Sequence, residues 1–191
     1  MPRQPTPNMA FANRGRSRIN KNNSEPAPIL SPEKQESRAR NVLLYQLSKS
    51  AKSKDQCRKI LEKRGIDSDI AEKVLDRFEE AQIIDDAVFA RTFTNSRIRG
   101  KGLAKTAIAR ELREKGVDQE LIETALQDLD AEGELARATE LAVTRVRRMS
   151  HLEKVVIQRR LGGFLARKGY SGSIVQSATR AALLEAVKSE V

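Results

Sequence analysis

Three short segments decide the fold: Lys63-Arg64-Gly65-Ile66-Asp67, Glu114-Lys115-Gly116-Val117-Asp118 and Arg167-Lys168-Gly169-Tyr170-Ser171. In each segment a basic residue precedes the glycine, and an apolar residue and then a small polar residue follow it. Glycine can end a helix in the left-handed conformation, and Asp or Ser can cap the helix that follows. The chain is therefore predicted to repeat a pair of helices three times, with the glycines 51 and 53 residues apart.

Apolar residues recur at fixed distances before these glycines, four and eight residues upstream. They are Leu61, Leu112 and Leu165, with Cys57, Ile108 and Leu161 one turn earlier. A spacing of four residues keeps these side chains on one face of a helix. The same register makes Cys57 a packing residue, and a single cysteine cannot form an internal disulfide.

A further helix is predicted before each pair, over about 38–48, 86–97 and 134–148. The side chains expected to face inward are Val42, Leu43, Leu44 and Leu47, then Val88, Phe89 and Phe93, then Leu141, Ala142 and Val146. Capping boxes are predicted at 53–56 and 150–153, because each begins with Ser and has Gln or Glu three residues later. Gly162 and Gly163 are expected to interrupt the middle helix of the third unit, since glycine is a poor helix former.

The predicted fold is all-α, with three tandem three-helix repeats forming an elongated, curved array. The repeats are placed at 38–84, 85–132 and 133–191, and each is expected to bury its apolar surface mainly against its neighbours. Residues 1–37 hold all six prolines and show no helical period. That composition predicts a disordered basic tail.

The net charge of +10 is distributed unevenly, with +3 in the tail, +3 in repeat 1, −2 in repeat 2 and +6 in repeat 3. Residues 141–170 hold eight basic residues against one acidic residue, Glu153. The basic residues are Arg145, Arg147, Arg148, Lys154, Arg159, Arg160, Arg167 and Lys168. A run of one sign predicts a binding face for an anionic partner, and the alternative is a merely solvated surface.

Catalysis needs a convergent set of titratable groups, and the chain has one His and one Cys. We therefore predict a protein that is not an enzyme and that has no catalytic, cofactor-binding or metal-binding residues and no cofactor. His151 is expected at the surface, and Asp85 and Asp86 are expected to cap a helix rather than to act as an acid–base pair. No apolar run approaches the length of a membrane span, so no membrane partner is expected and a cytoplasmic location is predicted.

The ordered set of motifs resembles the RecX family of bacterial recombinase regulators over roughly residues 38–187. The segments that carry the resemblance are Asp86-Ala87-Val88-Phe89-Ala90, Arg97 with Gly100-Lys101-Gly102, Glu111-Leu112-Arg113-Glu114-Lys115-Gly116-Val117 and Leu165-Ala166-Arg167-Lys168-Gly169-Tyr170. Their recurrence in three repeats is more specific than any one of them. The tail of about 37 residues is longer than the family core requires.

The resemblance implies a regulatory protein that lies in the groove of the RecA filament and inhibits ATP hydrolysis, strand exchange and coprotease activity, thereby modulating DNA repair and recombination. Some members of this family also bind single- or double-stranded DNA, a role that the basic third repeat would suit. Within the segments that carry the resemblance, Arg97, Lys101 and Arg113 join the basic residues above as candidate partner-binding or DNA-binding residues. A monomer is expected.

A second interpretation is a helix-turn-helix DNA-binding regulator, because a helix, a tight turn and a second helix can dock in the major groove. Such regulators usually have one basic recognition helix and form dimers. Here the turn recurs three times with a different charge each time. Repetition favours the filament regulator, and a strong sequence preference for duplex DNA would favour the alternative.

Overall fold

The computed structural model describes residues 31–188, which form nine α-helices and one 3₁₀ helix and contain no strand. The helices are α1 (Pro32–Lys49), α2 (Lys54–Lys63), α3 (Ser68–Glu80), α4 (Asp86–Lys101), α5 (Lys105–Glu114), α6 (Gln119–Leu126), α7 (Ala131–Val146), α8 (Lys154–Arg167) and α9 (Gly172–Lys188), with the 3₁₀ helix at Arg147–Met149. The predicted all-α fold of three three-helix repeats is confirmed. None of these helices combines the length and apolar character that crossing a membrane requires.

The glycine turns have the predicted geometry. Gly65, Gly116 and Gly169 have φ values of +69°, +72° and +91°, in the region that glycine adopts without strain. The side chains of Asp67 and Asp118 then accept hydrogen bonds from backbone amides in the first turns of α3 and α6. Each repeat therefore joins its second and third helices through a tight turn.

Each repeat encloses a hydrophobic core of its own. Cys57, Leu61 and Leu75 lie in the first core, Ile108, Leu112 and Ile122 in the second, and Leu161, Leu165 and Ala182 in the third. The closest helix packing lies within the repeats, so the expectation that each unit buries its apolar surface mainly against its neighbours is wrong. Three helices can surround a common apolar stripe, and a single repeat thus closes its core without help.

Two side chains predicted to face inward are exposed. Leu44 is 47% exposed and Val88 is 48% exposed, whereas the adjacent Leu43 and Phe89 are buried. A surface helix buries one stripe of its circumference, and consecutive residues point about 100° apart. In each of these pairs only one residue can therefore occupy the centre of the stripe.

The first helix begins earlier than predicted, at Pro32 rather than at about residue 38, so the predicted tail overlaps α1. Proline is favourable at the first position of a helix because its φ is already suitable and its missing N–H has no helical partner there. The sequence interpretation placed Pro32 in the disordered tail, which was wrong. The rest of the predicted tail, residues 1–30, lies outside the described residues.

Two predictions about repeat 3 are also wrong. Ser150 does not open a capping box, because the 3₁₀ helix continues α7 up to this point and the N-cap of α8 is Glu153. Gly162 and Gly163 do not interrupt α8, which is continuous over its 14 residues. A Cβ atom at Gly162 would make an ordinary van der Waals contact, 3.8 Å from Cγ1 of Val175 in α9, so the packing of these helices would also accept alanine there.

The N-terminus of α2 forms the junction between repeats 1 and 2. Ser53 and Gln56 form the predicted capping box, and the buried Oγ of Ser53 also donates to the carbonyl oxygen of Lys115, 2.5 Å away. The backbone amide of Lys54 donates to Oδ1 of Asp86 at 2.8 Å. The acidic pair thus divides its roles: Asp85 caps α4, as predicted, and Asp86 joins two repeats.

Replacing Asp86 with alanine should cost about 1 to 3 kcal/mol of unfolding free energy, because the amide of Lys54 loses its acceptor in a half-buried place. Asp86→Asn keeps an acceptor oxygen and should cost nothing at neutral pH. Burial raises the pKa of Asp86, so its ionised form is less favourable in the folded chain than in the unfolded one. Urea unfolding at pH 7 measures both variants, and an equal loss for both would contradict this role.

Cys57 is confirmed as a packing residue. Its side chain is fully buried on the inner face of α2, and burial raises the pKa of its thiol to about 11. The thiolate is the reactive form of cysteine. Cys57 therefore contributes volume to the first core and remains a neutral thiol at physiological pH.

Candidate binding site between the second and third repeats

The site begins with the glycine that ends α4. Gly102 has φ +57°, and its amide satisfies the last carbonyls of α4. A Cβ atom at this position would lie 2.7 Å from Cδ1 of Leu141 in α7. The absence of a side chain at Gly102 thus lets the end of α4 approach α7 closely, which sets the distance between repeats 2 and 3.

The end of α8 fastens onto the same turn. The amide of Ala104 donates to the carbonyl oxygen of Lys168 at 2.9 Å, and the hydroxyl of Tyr170 donates to the carbonyl oxygen of Gly102 at 3.2 Å. Nζ of Lys168 donates to the carbonyl oxygen of Lys101. Two consecutive repeats are therefore joined by backbone atoms, which fixes the position of the charged side chains around them.

A cleft with a volume of about 490 Å³ lies along this junction, between the end of α4, the outer face of α7 and the end of α8. We call it the basic cleft. Its charged lining consists of Arg99, Lys101, Arg137, Arg145, Arg148 and Lys168, with Glu140 as the acidic member. Six positive groups against one negative group give this junction a positive electrostatic potential.

Phe164 supplies an aromatic face to the basic cleft. The guanidinium carbon of Arg145 lies 4.8 Å from the centre of its ring, and Nζ of Lys168 lies 5.0 Å from it. Such cation–π contacts hold both charges in place while their remaining donors stay available. Arg145 and Lys168 are therefore positioned before any partner arrives.

The positive charges in the basic cleft act on one another. The pKa of Lys168 is lowered, first by partial burial of its ammonium group and then by the charges of Arg145 and Lys101. Like charges held this close raise the free energy of the empty cleft, and an anion between them would lower it. The electrostatics favour a multivalent anionic surface over a neutral one.

Arg137 adds two donors at the inner end of the cleft. Its Nε and Nη2 atoms are buried without a hydrogen bond among the described residues, while its guanidinium group interacts with the hydroxyl of Tyr170. A buried guanidinium N–H without an acceptor is unfavourable, and an oxygen acceptor from a ligand would relieve it. Arg137 thus adds a positive charge to the lining of the basic cleft.

The structure gathers four of the predicted binding residues in the basic cleft and scatters the rest. Lys101, Arg145, Arg148 and Lys168 line the cleft. Arg147 lies next to it, with Nη2 3.8 Å from Oε1 of Glu185. Lys154 borders a separate groove between α8 and α9. Arg159, Arg160 and Arg167 lie exposed on α8.

Two of the predicted residues serve repeat 2 internally. Nε of Arg97 lies 2.6 Å from Oε2 of Glu111, and its guanidinium group stacks on Phe93 at 4.1 Å. These contacts occupy Arg97 and hold α4 against α5. Nε of Arg113 donates to Oε1 of Gln119 at 3.1 Å, away from the basic cleft.

The sequence interpretation missed Arg99 and Arg137. Arg137 precedes Leu141 and Arg145 at successive four-residue spacings, so one face of α7 carries all three. That spacing was a readable signal. Arg99 offered none, because only the packing of α4 against α7 brings its turn to repeat 3.

Family models match three ranges of the chain. The first, second and third three-helix domains of RecX match residues 39–78, 85–126 and 132–179. Regulatory protein RecX of Streptomyces coelicolor is 42% identical over 147 residues, which is 77% of this chain and 78% of that protein. Regulatory protein RecX of Thermobifida fusca is 38% identical over 155 residues, covering 81% and 84%.

A solved structure has the same fold. The crystal structure of RecX from Lactobacillus salivarius superposes with a TM-score of 0.70 and 20% sequence identity, over 80% of this chain and 99% of that one. The three domain matches, the identity to proteins of two genera and the shared fold lead to one conclusion. This chain belongs to the RecX family of regulatory proteins.

Proposed function

We propose that this chain binds the filament of the RecA recombinase and inhibits its ATP hydrolysis, strand exchange and coprotease activity. Membership of the RecX family supports RecA as the target. The observation that carries the proposal is the basic cleft, in which six positive side chains from two repeats face one opening. Inhibition of this kind modulates DNA repair and recombination.

The basic cleft suits either the phosphates of DNA held in a filament or an acidic wall of its groove. An arginine guanidinium can donate two parallel hydrogen bonds to a phosphate or a carboxylate. Arg145 and Arg148 stand about one helical turn apart on the solvent side of repeat 3. Repeated anionic groups along a polymer can therefore engage several members of the basic cleft at once.

Repeat 2 presents the opposite charge on another surface. Its exposed carboxylates include Glu114, Asp118, Glu120 and Glu123, on α5 and α6 and the turn between them. These residues would face basic protein surface while the basic cleft faces an anionic one. Opposite charges on successive repeats give the bound chain a defined direction along its target.

Inhibition by occupancy requires no chemistry from the bound chain. A body that fills the groove of a filament excludes the second DNA strand and the substrates of coprotease cleavage. It also holds neighbouring subunits in one arrangement, which opposes the changes that accompany ATP hydrolysis. The proposed mechanism therefore depends on binding geometry and charge.

Reversing two charges of the basic cleft tests the proposal. The double variant Arg145→Glu with Arg148→Glu should lose most of its inhibition of RecA-driven strand exchange, because it changes the local charge by four. The variant Arg159→Glu with Arg160→Glu makes the same change on the exposed face of α8 and is the matched control. It should retain more inhibition. Strand-exchange yield against inhibitor concentration measures both, and equal loss would exclude a specific role for the cleft.

A DNA-binding measurement distinguishes the proposed function from the alternative, a helix-turn-helix regulator. Duplexes of random and of selected sequence are titrated at two salt concentrations. Binding that is salt-sensitive and indifferent to sequence agrees with the proposal, since phosphate contacts carry no sequence information. A preference of a thousandfold or more for one sequence would support the alternative instead.

A further inference from the structure

The two junctions between repeats are built from the same contacts. At the first, Ser53 at the N-cap of α2 donates to the carbonyl oxygen of Lys115, and the amide of Lys54 donates to Asp86. At the second, Ala104 at the N-cap of α5 donates to the carbonyl oxygen of Lys168. There the amide of Lys105 donates to Oε1 of Glu134 at 2.6 Å.

One rule describes both junctions. The N-terminus of the middle helix in one repeat contacts the turn that ends the middle helix of the next repeat. The first backbone amide of that N-terminus also donates a hydrogen bond to a carboxylate on the first helix of the next repeat. The glycine of that turn is approached closely by the first turn of the middle helix, by Asp55 at Gly116 and by Ala107 and Thr106 at Gly169. Oγ1 of Thr106 would lie 3.0 Å from a Cβ atom at Gly169.

Repeat 3 has the donor half of this junction at the N-terminus of α8, and no other part of residues 31–188 occupies it. Its middle helix begins Glu153-Lys154-Val155, in register with Ser53-Lys54-Asp55 and Ala104-Lys105-Thr106. Glu153 makes no side-chain cap, and the amide of Lys154 has no hydrogen-bond partner among residues 31–188. Val155, at the position of Asp55 and Thr106, is 75% exposed.

Among residues 31–188, nothing covers the corresponding acceptor half on repeat 1. A Cβ atom at Gly65 would meet nothing within 4 Å, in contrast to Gly116 and Gly169. A cleft of about 710 Å³ lies between α1 and the end of α2, lined in part by Glu33 and Arg64. Glu33 lies in the first turn of α1, as Asp86 lies in the first turn of α4.

The two uncovered halves are complementary in charge. In the inner junctions the N-cap residue donates to the backbone carbonyl oxygen of the residue before the glycine, Oγ of Ser53 to Lys115 and the amide of Ala104 to Lys168. The same register pairs Glu153 of repeat 3 with Arg64 of repeat 1. The inner hydrogen bonds use the backbone of the lysine, and the outer pair would add an attraction between a carboxylate and a guanidinium group.

We infer that two copies of this chain associate head to tail, with repeat 3 of one copy docked on repeat 1 of the next through the same contacts that join successive repeats. The amide of Lys154 would donate to Glu33, Val155 would cover Gly65, and Glu153 would pair with Arg64. A contact between different surfaces leaves one free half at each end, so it continues from copy to copy. Association is a property of the chain itself and differs from the monomer expected from the sequence.

The contact is small, so free copies should associate weakly. A polymeric target that binds several copies side by side should strengthen their association. Sedimentation equilibrium on the full chain should show an average mass that rises with concentration. Arg64→Glu and Glu153→Arg should each weaken association roughly fivefold or more, because each places like charges opposite one another. The double variant, with both changes in one chain, should restore it.

Restoration by the double variant is the decisive outcome, because damage to folding would not be repaired by a second charge reversal. Arg40→Glu, an exposed residue of α1 outside the cleft, makes the same charge change as Arg64→Glu and should leave association unchanged. A wild-type mass that stays at one chain up to millimolar concentration would overturn the inference. So would a double variant that is as weak as the single ones.

Discussion

Replacing Gly116 with alanine is expected to lower the free energy of unfolding by about 2 to 5 kcal/mol, whereas Gly65→Ala should lower it by about 1 to 2 kcal/mol. The two glycines have nearly the same backbone conformation, with φ values of +72° and +69°. Alanine in the left-handed region therefore costs the same at both positions. The comparison isolates what lies around each glycine.

The surroundings differ because only Gly116 lies in a junction. A Cβ atom there would clash with Cβ and Cγ of Asp55, while one at Gly65 would meet nothing. Asp55 is held on α2, which Ser53 and Lys54 attach to repeat 2, so relief requires the two repeats to separate. The added methyl group therefore disturbs the junction between repeats in Gly116→Ala, whereas in Gly65→Ala it strains only the turn.

Thermal and urea unfolding of the two variants side by side measure the difference. The expected order is wild type, then Gly65→Ala, then Gly116→Ala. Equal losses would mean that the close approach of Asp55 contributes nothing to stability. In that case the junction would be held by its hydrogen bonds alone.

Leu161→Ala should destabilise repeat 3 by about 2 to 5 kcal/mol and leave repeat 1 folded. Leu161 is fully buried in the third core, which shares no residue with the first. Removing it leaves a cavity that helices α7 and α9 cannot close without losing other contacts. Separate cores joined by small junctions favour local unfolding over a single all-or-none transition.

Hydrogen exchange measured helix by helix reports this behaviour. Amides of α7, α8 and α9 should exchange much faster in the variant, while those of α2 and α3 keep their protection. Val155→Ala is the control on the same helix, because Val155 is largely exposed and its loss should cost less than about 0.5 kcal/mol. A uniform loss of protection across the chain would show that the repeats unfold as one unit.

The sequence alone determined the local structure of this protein. The glycine turns at Gly65, Gly116 and Gly169 could be predicted because a left-handed glycine and the helix cap that follows it depend only on adjacent residues. The buried register of Cys57 followed from the same turns, since helical spacing fixes which side chains share a face. Ser150 and Gly162 were misread because 3₁₀ geometry and helix–helix packing overrode a local preference.

Only the tertiary structure decided how the repeats meet. The basic cleft combines Lys101 of repeat 2 with Arg145 and Lys168 of repeat 3, residues whose separation along the chain says nothing about their distance in space. Arg97 carries the same charge and is nevertheless occupied by Glu111 inside its own repeat. Charge and periodicity are properties of a segment, whereas a site depends on which segments come into contact. Here the close approach at Gly102, Gly116 and Gly169 and the hydrogen bonds around these turns bring the segments together.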